Sequence, residues 1–223
     1  MKTLTILLGL VLSALGSIRA AEITLKSVDR QPPTAVSDAI KAVLQTRAIQ
    51  LIEGDQAAFE FWFGREIPLK GKIEGVGNGL QALSEMTLLG VATIGEGKRD
   101  YKDSEIPAGT YTMRFGLQPQ DGDHLGTADF PYFVVLIPAK SDQELQSFKT
   151  YKAMLKASGK ATATGHPIVI SLRPVNDSKD VPALTRPVAD HKAVKLNLRA
   201  KAADSESAAD LAFELVYEGR YKG

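Results

Sequence analysis

Short segments in which apolar and polar residues alternate recur along most of this chain, and such alternation predicts β-strands. Turn-forming residues, above all Gly, Pro and Asp, separate the segments at short intervals. The predicted strands cover residues 21–28, 47–53, 57–63, 86–94, 101–106, 110–118, 130–137, 168–172, 193–199 and 211–217. A chain patterned in this way is expected to be mainly β.

Two pairs of these segments predict hairpins. Segments 47–53 and 57–63 flank a turn at Gly54 and Asp55. The clearest signal joins 101–106 to 110–118 through Pro-Ala-Gly at 107–109, which suits a type I turn. Antiparallel pairing is therefore expected to dominate.

Helical spacing of apolar residues appears in two places. The first predicted helix spans 37–45, with Ser37 as its N-cap. The second begins at Ser141, which forms a capping box with Glu144, and ends near Ser158. Together the elements predict an antiparallel immunoglobulin-like β-sandwich with two short helical insertions, as a single domain over 21–223. The alternative is a division into two β-subdomains near Pro174.

The first twenty residues, 1–20, are expected to form a cleavable signal peptide. Lys2 supplies a positive start, and the apolar run 4–15 has signal-peptide length and is too short to span a bilayer. Cleavage after Ala20 would make Ala21 the mature N-terminus, which N-terminal sequencing of the exported protein checks. No later apolar run is long enough for a membrane helix. We therefore expect a periplasmic or extracellular protein with no membrane insertion after signal cleavage.

Charge and cysteine content exclude several classes. The chain has 27 basic and 26 acidic residues, and removal of Lys2 and Arg19 leaves a net charge of 25 − 26 = −1. A balanced charge lacks the basic stripe that binds phosphates, so no nucleic-acid partner is expected. The absence of cysteine excludes disulfides, cysteine zinc sites and thiol catalysis.

Familiar catalytic signatures are missing from the chain: it has no G-x-S-x-G, no H-E-x-x-H and no G-x-x-x-x-G-K-[ST]. Their absence favours a non-catalytic protein without excluding an enzyme. A divalent metal ion is the one cofactor that the sequence suggests.

The candidate metal ligands lie in the loop sequence QPQDGDHLGT at 118–127. Asp121, Asp123 and His124 lie between two predicted strands, and neighbouring glycines would let them turn toward one point. His166 would join them if both loops lie at one end of the sheet. The favoured alternative is structural, because Asp side chains in turns commonly bond their own backbone.

Trp62 admits two interpretations. Strand periodicity places Phe59, Phe61 and Phe63 on one face as core and Trp62 on the other. Trp62 would then be a buried anchor, which is favoured, or a stacking platform for a glycan or small-molecule ligand.

Three other polar residues are assigned to the surface. Arg65 and Glu66 are predicted to form a surface ion pair with each other. His191, in a proline-bearing connection, is predicted to be solvent-exposed.

Four motifs together resemble uncharacterised secreted bacterial proteins of a domain-of-unknown-function family. They are F-W-F-x-R-E-I-P at 61–68, I-P-A-G-T-Y-T-M-R-F at 106–115, Q-P-Q-D-G-D-H-L-G-T at 118–127 and G-H-P at 165–167. The likeness covers about 37–172. It implies export from a bacterial cell and a β-rich domain, and it carries over no catalytic residue.

The sequence thus predicts an exported non-catalytic β-sandwich that binds an unknown protein or small ligand through loops at one end. Two alternatives stay open. One is a metal-dependent protein or hydrolase that uses Asp121, Asp123, His124 and His166. The other is a glycan or small-molecule binder that uses Trp62.

Overall fold

The computed structural model describes residues 22–119 and 128–219. The predicted signal peptide and the candidate ligands Asp121, Asp123 and His124 lie outside the described residues. The strands are β1 Ile23–Asp29, β2 Arg47–Glu53, β3 Gln56–Phe63, β4 Ile67–Leu69, β5 Leu88–Ile94, β6 Lys98–Arg99, β7 Glu105–Ile106, β8 Gly109–Leu117, β9 Tyr132–Pro138, β10 Ile168–Pro174, β11 Ala183–Thr185, β12 Lys192–Ala202 and β13 Ala209–Glu218. The helices are α1 Asp38–Lys41 and α2 Tyr151–Gly159, with 3-10 turns at Gly79–Ala82 and Ala139–Ser141.

Eleven of these strands form one sheet. Its order is β1-β2-β3-β5-β8-β9-β10-β13-β12-β11, and β4 pairs with the end of β12. All neighbours along this path are antiparallel, whereas β4 runs parallel to β12. The prediction of a mainly β, antiparallel chain is confirmed.

The sheet is strongly curled. Phe59 of β3 and Tyr217 of β13 lie five places apart in the strand order, yet their ring centroids are 5.8 Å apart. The largest hydrophobic core lies within this curl and includes residues on both sides of Pro174, among them Phe61 and Phe213. Burial of this apolar surface is the main force that stabilises the fold.

Two smaller cores cover the other face of the sheet. Ile40 of α1 packs with Trp62 and Val91 in one of them. Met154 of α2 packs with Val135 in the other. The two helices therefore cover parts of the outer face.

The β2–β3 hairpin and the predicted phenylalanine face are confirmed. Ile49 pairs with Phe61 across the hairpin, and Gly54 adopts the left-handed conformation that its turn requires, with φ of 62°. Phe59, Phe61 and Phe63 all belong to the large core.

The predicted hairpin between 101–106 and 110–118 is wrong. Strand β7 pairs instead with β6, and β8 pairs with β5 and β9. The reason lies in Asp100, whose carboxylate accepts hydrogen bonds of 2.9 Å from the backbone N–H groups of Lys102 and Ser104. Those bonds close a turn over residues that alternation alone had placed in a strand.

The N-cap of the second predicted helix lies nine residues later than predicted. It is Thr150, whose hydroxyl accepts from the N–H of Ala153 at 3.2 Å, and Ser141 ends a 3-10 turn instead. The first helix keeps its predicted cap, because Ser37 accepts from Ile40 at 3.3 Å, although it is shorter than predicted.

Candidate functional site

An open groove with a volume of about 480 Å³ lies where β3 ends and β5 begins. We call it the β3–β5 groove. Its lining residues are Val43, Gly64, Glu66, Pro68, Glu85, Met86, Thr87, Leu88, Arg114, Leu145, Gln146 and Phe148. The volume is within the range of sites for small ligands in proteins.

The walls of the groove are apolar and accessible. Leu145 is 45% exposed, and Met86, Leu88 and Phe148 are each partly exposed. Met86 lies two residues before β5 with a φ of 67°, and its N–H donates to Phe115 O at 2.8 Å. Apolar groups held open to solvent in a concave surface are typical of a ligand or partner site.

The floor of the groove is a buried ion pair. Arg114 donates from Nε to Asp142 Oδ2 at 2.6 Å and from Nη2 to Asp142 Oδ1 at 2.8 Å, a bidentate geometry. Three backbone carbonyls take its other protons: Met86 at 2.9 Å, Leu145 at 3.1 Å and Glu144 at 2.7 Å. All five N–H donors of the guanidinium thus have acceptors.

This network positions one wall of the groove. The hydroxyl of Thr112 adds a 2.5 Å bond to Asp142 Oδ2, and the Arg114 guanidinium lies 5.6 Å from the centroid of the Phe148 ring. The carbonyls of Glu144 and Leu145 accept hydrogen bonds from Arg114, which compete with the backbone bonds that a helix starting at Ser141 would need. The same bonds that hold the groove wall explain the late start of α2.

Sequence reasoning missed this pair. The sequence does place a charged residue, Arg114, in the middle of the mostly buried strand β8, and this could have indicated a buried ion pair. A fully buried arginine needs a carboxylate partner, but the sequence does not say which carboxylate is near. Asp142 lies 28 positions away and is brought close by the β8–β9 pairing.

Two carboxylates lie at the rim. Glu66 pairs with Arg199, Nε to Oε2, at 2.9 Å. The predicted pair between Arg65 and Glu66 is therefore wrong, since Arg65 turns the other way and donates to Ala42 O. Glu85 is exposed, and no Lys or Arg pairs with it within residues 22–119 and 128–219.

Trp62 lies in the core. Its side chain is 1% exposed, and its indole N–H donates to Arg30 O at 2.9 Å. A stacking platform for a glycan needs a ring face that is open to solvent. The burial of Trp62 therefore agrees with a buried anchor and not with a stacking platform.

His124 lies outside the described residues, so its predicted approach to His166 stays a prediction. His166 is exposed and precedes Ile168, which pairs with Leu136. Gln118 N–H donates to Pro131 O just before Tyr132, and Tyr132 lies about 13 Å from Leu136 along β9 at about 3.3 Å per residue. His166 and the ends of the predicted metal-binding loop therefore lie at opposite ends of the sheet.

His191 is buried, so the prediction of an exposed side chain is wrong. Its ring packs edge-on against Tyr101 at 5.5 Å, and its Cδ2 atom lies where a side chain at Gly219 would project. Glycine is therefore needed at position 219 to let this ring pack against the end of β13.

A divalent metal ion in the loop stays a prediction, and residues 22–119 and 128–219 contain no group of three metal-ligating side chains. If Asp121, Asp123 and His124 bind an ion, added zinc, manganese, copper or calcium should raise the melting temperature of chelator-treated protein, because a ligand that binds the folded state stabilises it. The matched control is Asp123→Asn with His124→Ala, which should not respond. An unchanged wild-type melting curve would end the metal hypothesis.

A second cavity, of about 440 Å³, lies at the opposite end of the sheet and has a charged lining. It contains the ion pair between Lys98 and Glu53 and the phenol of Tyr217. Burial and the nearby Glu218 raise the pKa of Tyr217 to about 12, and burial and Glu85 do the same for Tyr151 near the groove. Both phenols are protonated at neutral pH, so neither is an anionic nucleophile.

Among the described residues, no helix is long and apolar enough to span a membrane. No protein-family model, curated protein or solved structure matches this chain. The resemblance to secreted proteins of a domain-of-unknown-function family therefore stays a prediction.

Proposed function

We propose that this chain is an exported, non-catalytic binding protein that holds an apolar ligand in the β3–β5 groove. The observation that carries the proposal is the open concave wall of Met86, Leu145 and Phe148 beside a fixed floor. Export is proposed from the signal-peptide pattern of residues 1–20.

The chemistry of the floor supports binding rather than catalysis. Arg114 and Asp142 already satisfy each other in a bidentate pair, and three carbonyls take the remaining guanidinium protons. A general acid, base or nucleophile needs a proton or lone pair free to reach the substrate. The floor can thus hold the walls in place but does not offer a reactive group.

The finer fold that we propose is an immunoglobulin-like sandwich. Strand β10 supports it, because Ile168 to Ser171 pair with β9 whereas Leu172 to Pro174 pair with β13. A strand that changes partners along its length carries the chain from one facing layer to the other. Contact between the Phe59 and Tyr217 rings across the curl also supports two facing layers. In this arrangement the groove belongs to the loops at one end.

An apolar fluorescent probe tests the proposal. We expect 1-naphthylmethanol to bind the wild type, and Leu145→Asp to weaken its binding about tenfold, because a buried leucine contact is worth about 1.5–3 kcal/mol. Isothermal titration calorimetry measures both.

The matched control is Leu184→Asp, which changes a leucine of similar exposure, 39%, on β11 and outside the groove. This variant should bind the probe as the wild type does. No binding by the wild type, or equal losses in the two variants, would contradict the proposal.

A further inference from the structure

We infer that the ligand of the β3–β5 groove is a small molecule that joins an apolar body to a cation, and that Glu85 supplies its counter-charge. The inference rests on the proposed function and goes beyond it by naming the ligand class. It follows from the charges at the groove, from its size and from the place of Glu85.

The charges at the groove leave one carboxylate uncompensated. Arg114 and Asp142 cancel in the floor, and Glu66 is compensated by Arg199 at the rim. Glu85 is exposed and has no cationic partner in the described part of the chain. Because the other charges among the lining residues cancel, these residues present a net charge of −1 to a ligand, which favours a cation and disfavours an anion.

Glu85 lies next to the apolar wall, since it directly precedes Met86, and both line the groove. Its charge also acts on the neighbouring α2 helix, where it helps to raise the pKa of Tyr151. A ligand whose apolar body contacts Met86 and Phe148 would therefore place an attached cation within reach of Glu85. An exposed pair of this kind contributes a modest amount, which is enough for selection by charge.

The size of the groove favours a small molecule over a protein partner. About 480 Å³ is within the range of cavities that hold one drug-sized ligand. A stable protein interface buries about 800 Å² on each partner and takes roughly 20–30 residues a side, more than the twelve that line this groove.

Three probes with one apolar body and different charges test the inference. They are 1-naphthylmethyl groups that carry trimethylammonium, hydroxyl or sulfonate, titrated into the full mature protein by calorimetry at low ionic strength. We expect the cation to bind about threefold to fivefold more tightly than the alcohol, and the sulfonate to bind more weakly than the alcohol. Glu85→Gln should abolish this order, so that the cation no longer binds more tightly than the alcohol.

The control variant is Glu74→Gln, an exposed glutamate outside the groove, which should keep the preference of the wild type for the cation. Binding of the alcohol without preference for the cation would overturn this inference and leave the proposed function standing. Failure of all three probes would overturn both. A short peptide with apolar and lysine side chains that binds ten times more tightly than the naphthyl cation would overturn the small-molecule assignment.

Discussion

Replacement of Arg114 by methionine should destabilise the fold by about 3–5 kcal/mol, which is the usual cost of removing one partner of a buried ion pair. The side chains of Arg114 and Asp142 are 2% and 0% exposed, so the substitution would leave a carboxylate buried without its counter-charge. It would also leave the carbonyls of Met86, Glu144 and Leu145 without their donor. Urea-induced unfolding of the purified protein measures the change.

The conservative variant Arg114→Lys separates charge from geometry. Lysine keeps the positive charge but cannot reproduce the bidentate fork and the three carbonyl contacts of the guanidinium, so it should recover only part of the loss. Arg199→Met is the matched control, because it breaks the exposed pair with Glu66 and should cost no more than about 1 kcal/mol. A loss below 1 kcal/mol for Arg114→Met would mean that the pair does not hold the wall of the groove.

This ion pair also shows where sequence reasoning stops. The β2–β3 hairpin could be predicted because the turn at Gly54 and the alternation beside it are local signals. The Arg114–Asp142 pair depends on which strands become neighbours, and no residue near Arg114 in the sequence carries that information. The floor of the groove therefore had to come from the structure, although the strand that bears it was predicted.

The predicted start of the second helix is wrong for a related reason. Ser141 and Glu144 match a capping box, which is a local preference worth about 1 kcal/mol. Arg114 takes the carbonyls of Glu144 and Leu145, and two charge-assisted hydrogen bonds of roughly 1.5–3 kcal/mol each outweigh that preference. Thr150 then caps the helix where those contacts end. A tertiary interaction thus sets the start of α2 and, with it, the exposure of Leu145.

The hairpin predicted at 101–118 is wrong for a different reason, because here the competing interaction is a local turn. Pro-Ala-Gly at 107–109 does form a tight connection, but the strand before it pairs with β6 because Asp100 closes an earlier turn. Burial raises the pKa of Asp100 while hydrogen bonds from Ser104, Lys102 and Val169 act in the opposite direction. The hydrogen bonds of one buried side chain therefore favour the pairing of β7 with β6 over the predicted pairing with β8.

The largest loss in the core is expected for Phe61→Ala. Phe61 is 0% exposed, and its ring stacks between those of Phe59 and Phe63 at 5.8 and 6.0 Å. Truncation removes a large buried apolar group and leaves a cavity that its two neighbours can fill only in part, so we expect a loss of about 3–5 kcal/mol. Urea-induced unfolding followed by circular dichroism measures it.

Val76→Ala is the control for this substitution, because Val76 is 73% exposed and its truncation should change the stability by less than about 0.5 kcal/mol. Phe61 lies in the large core inside the curl and on the opposite face of β3 from Trp62, so its loss acts on the curled sheet. A loss below 1 kcal/mol would mean that the facing layers of the sheet close over the cavity. In that case the direct contact between the rings of Phe59 and Tyr217 would stabilise the curl without Phe61.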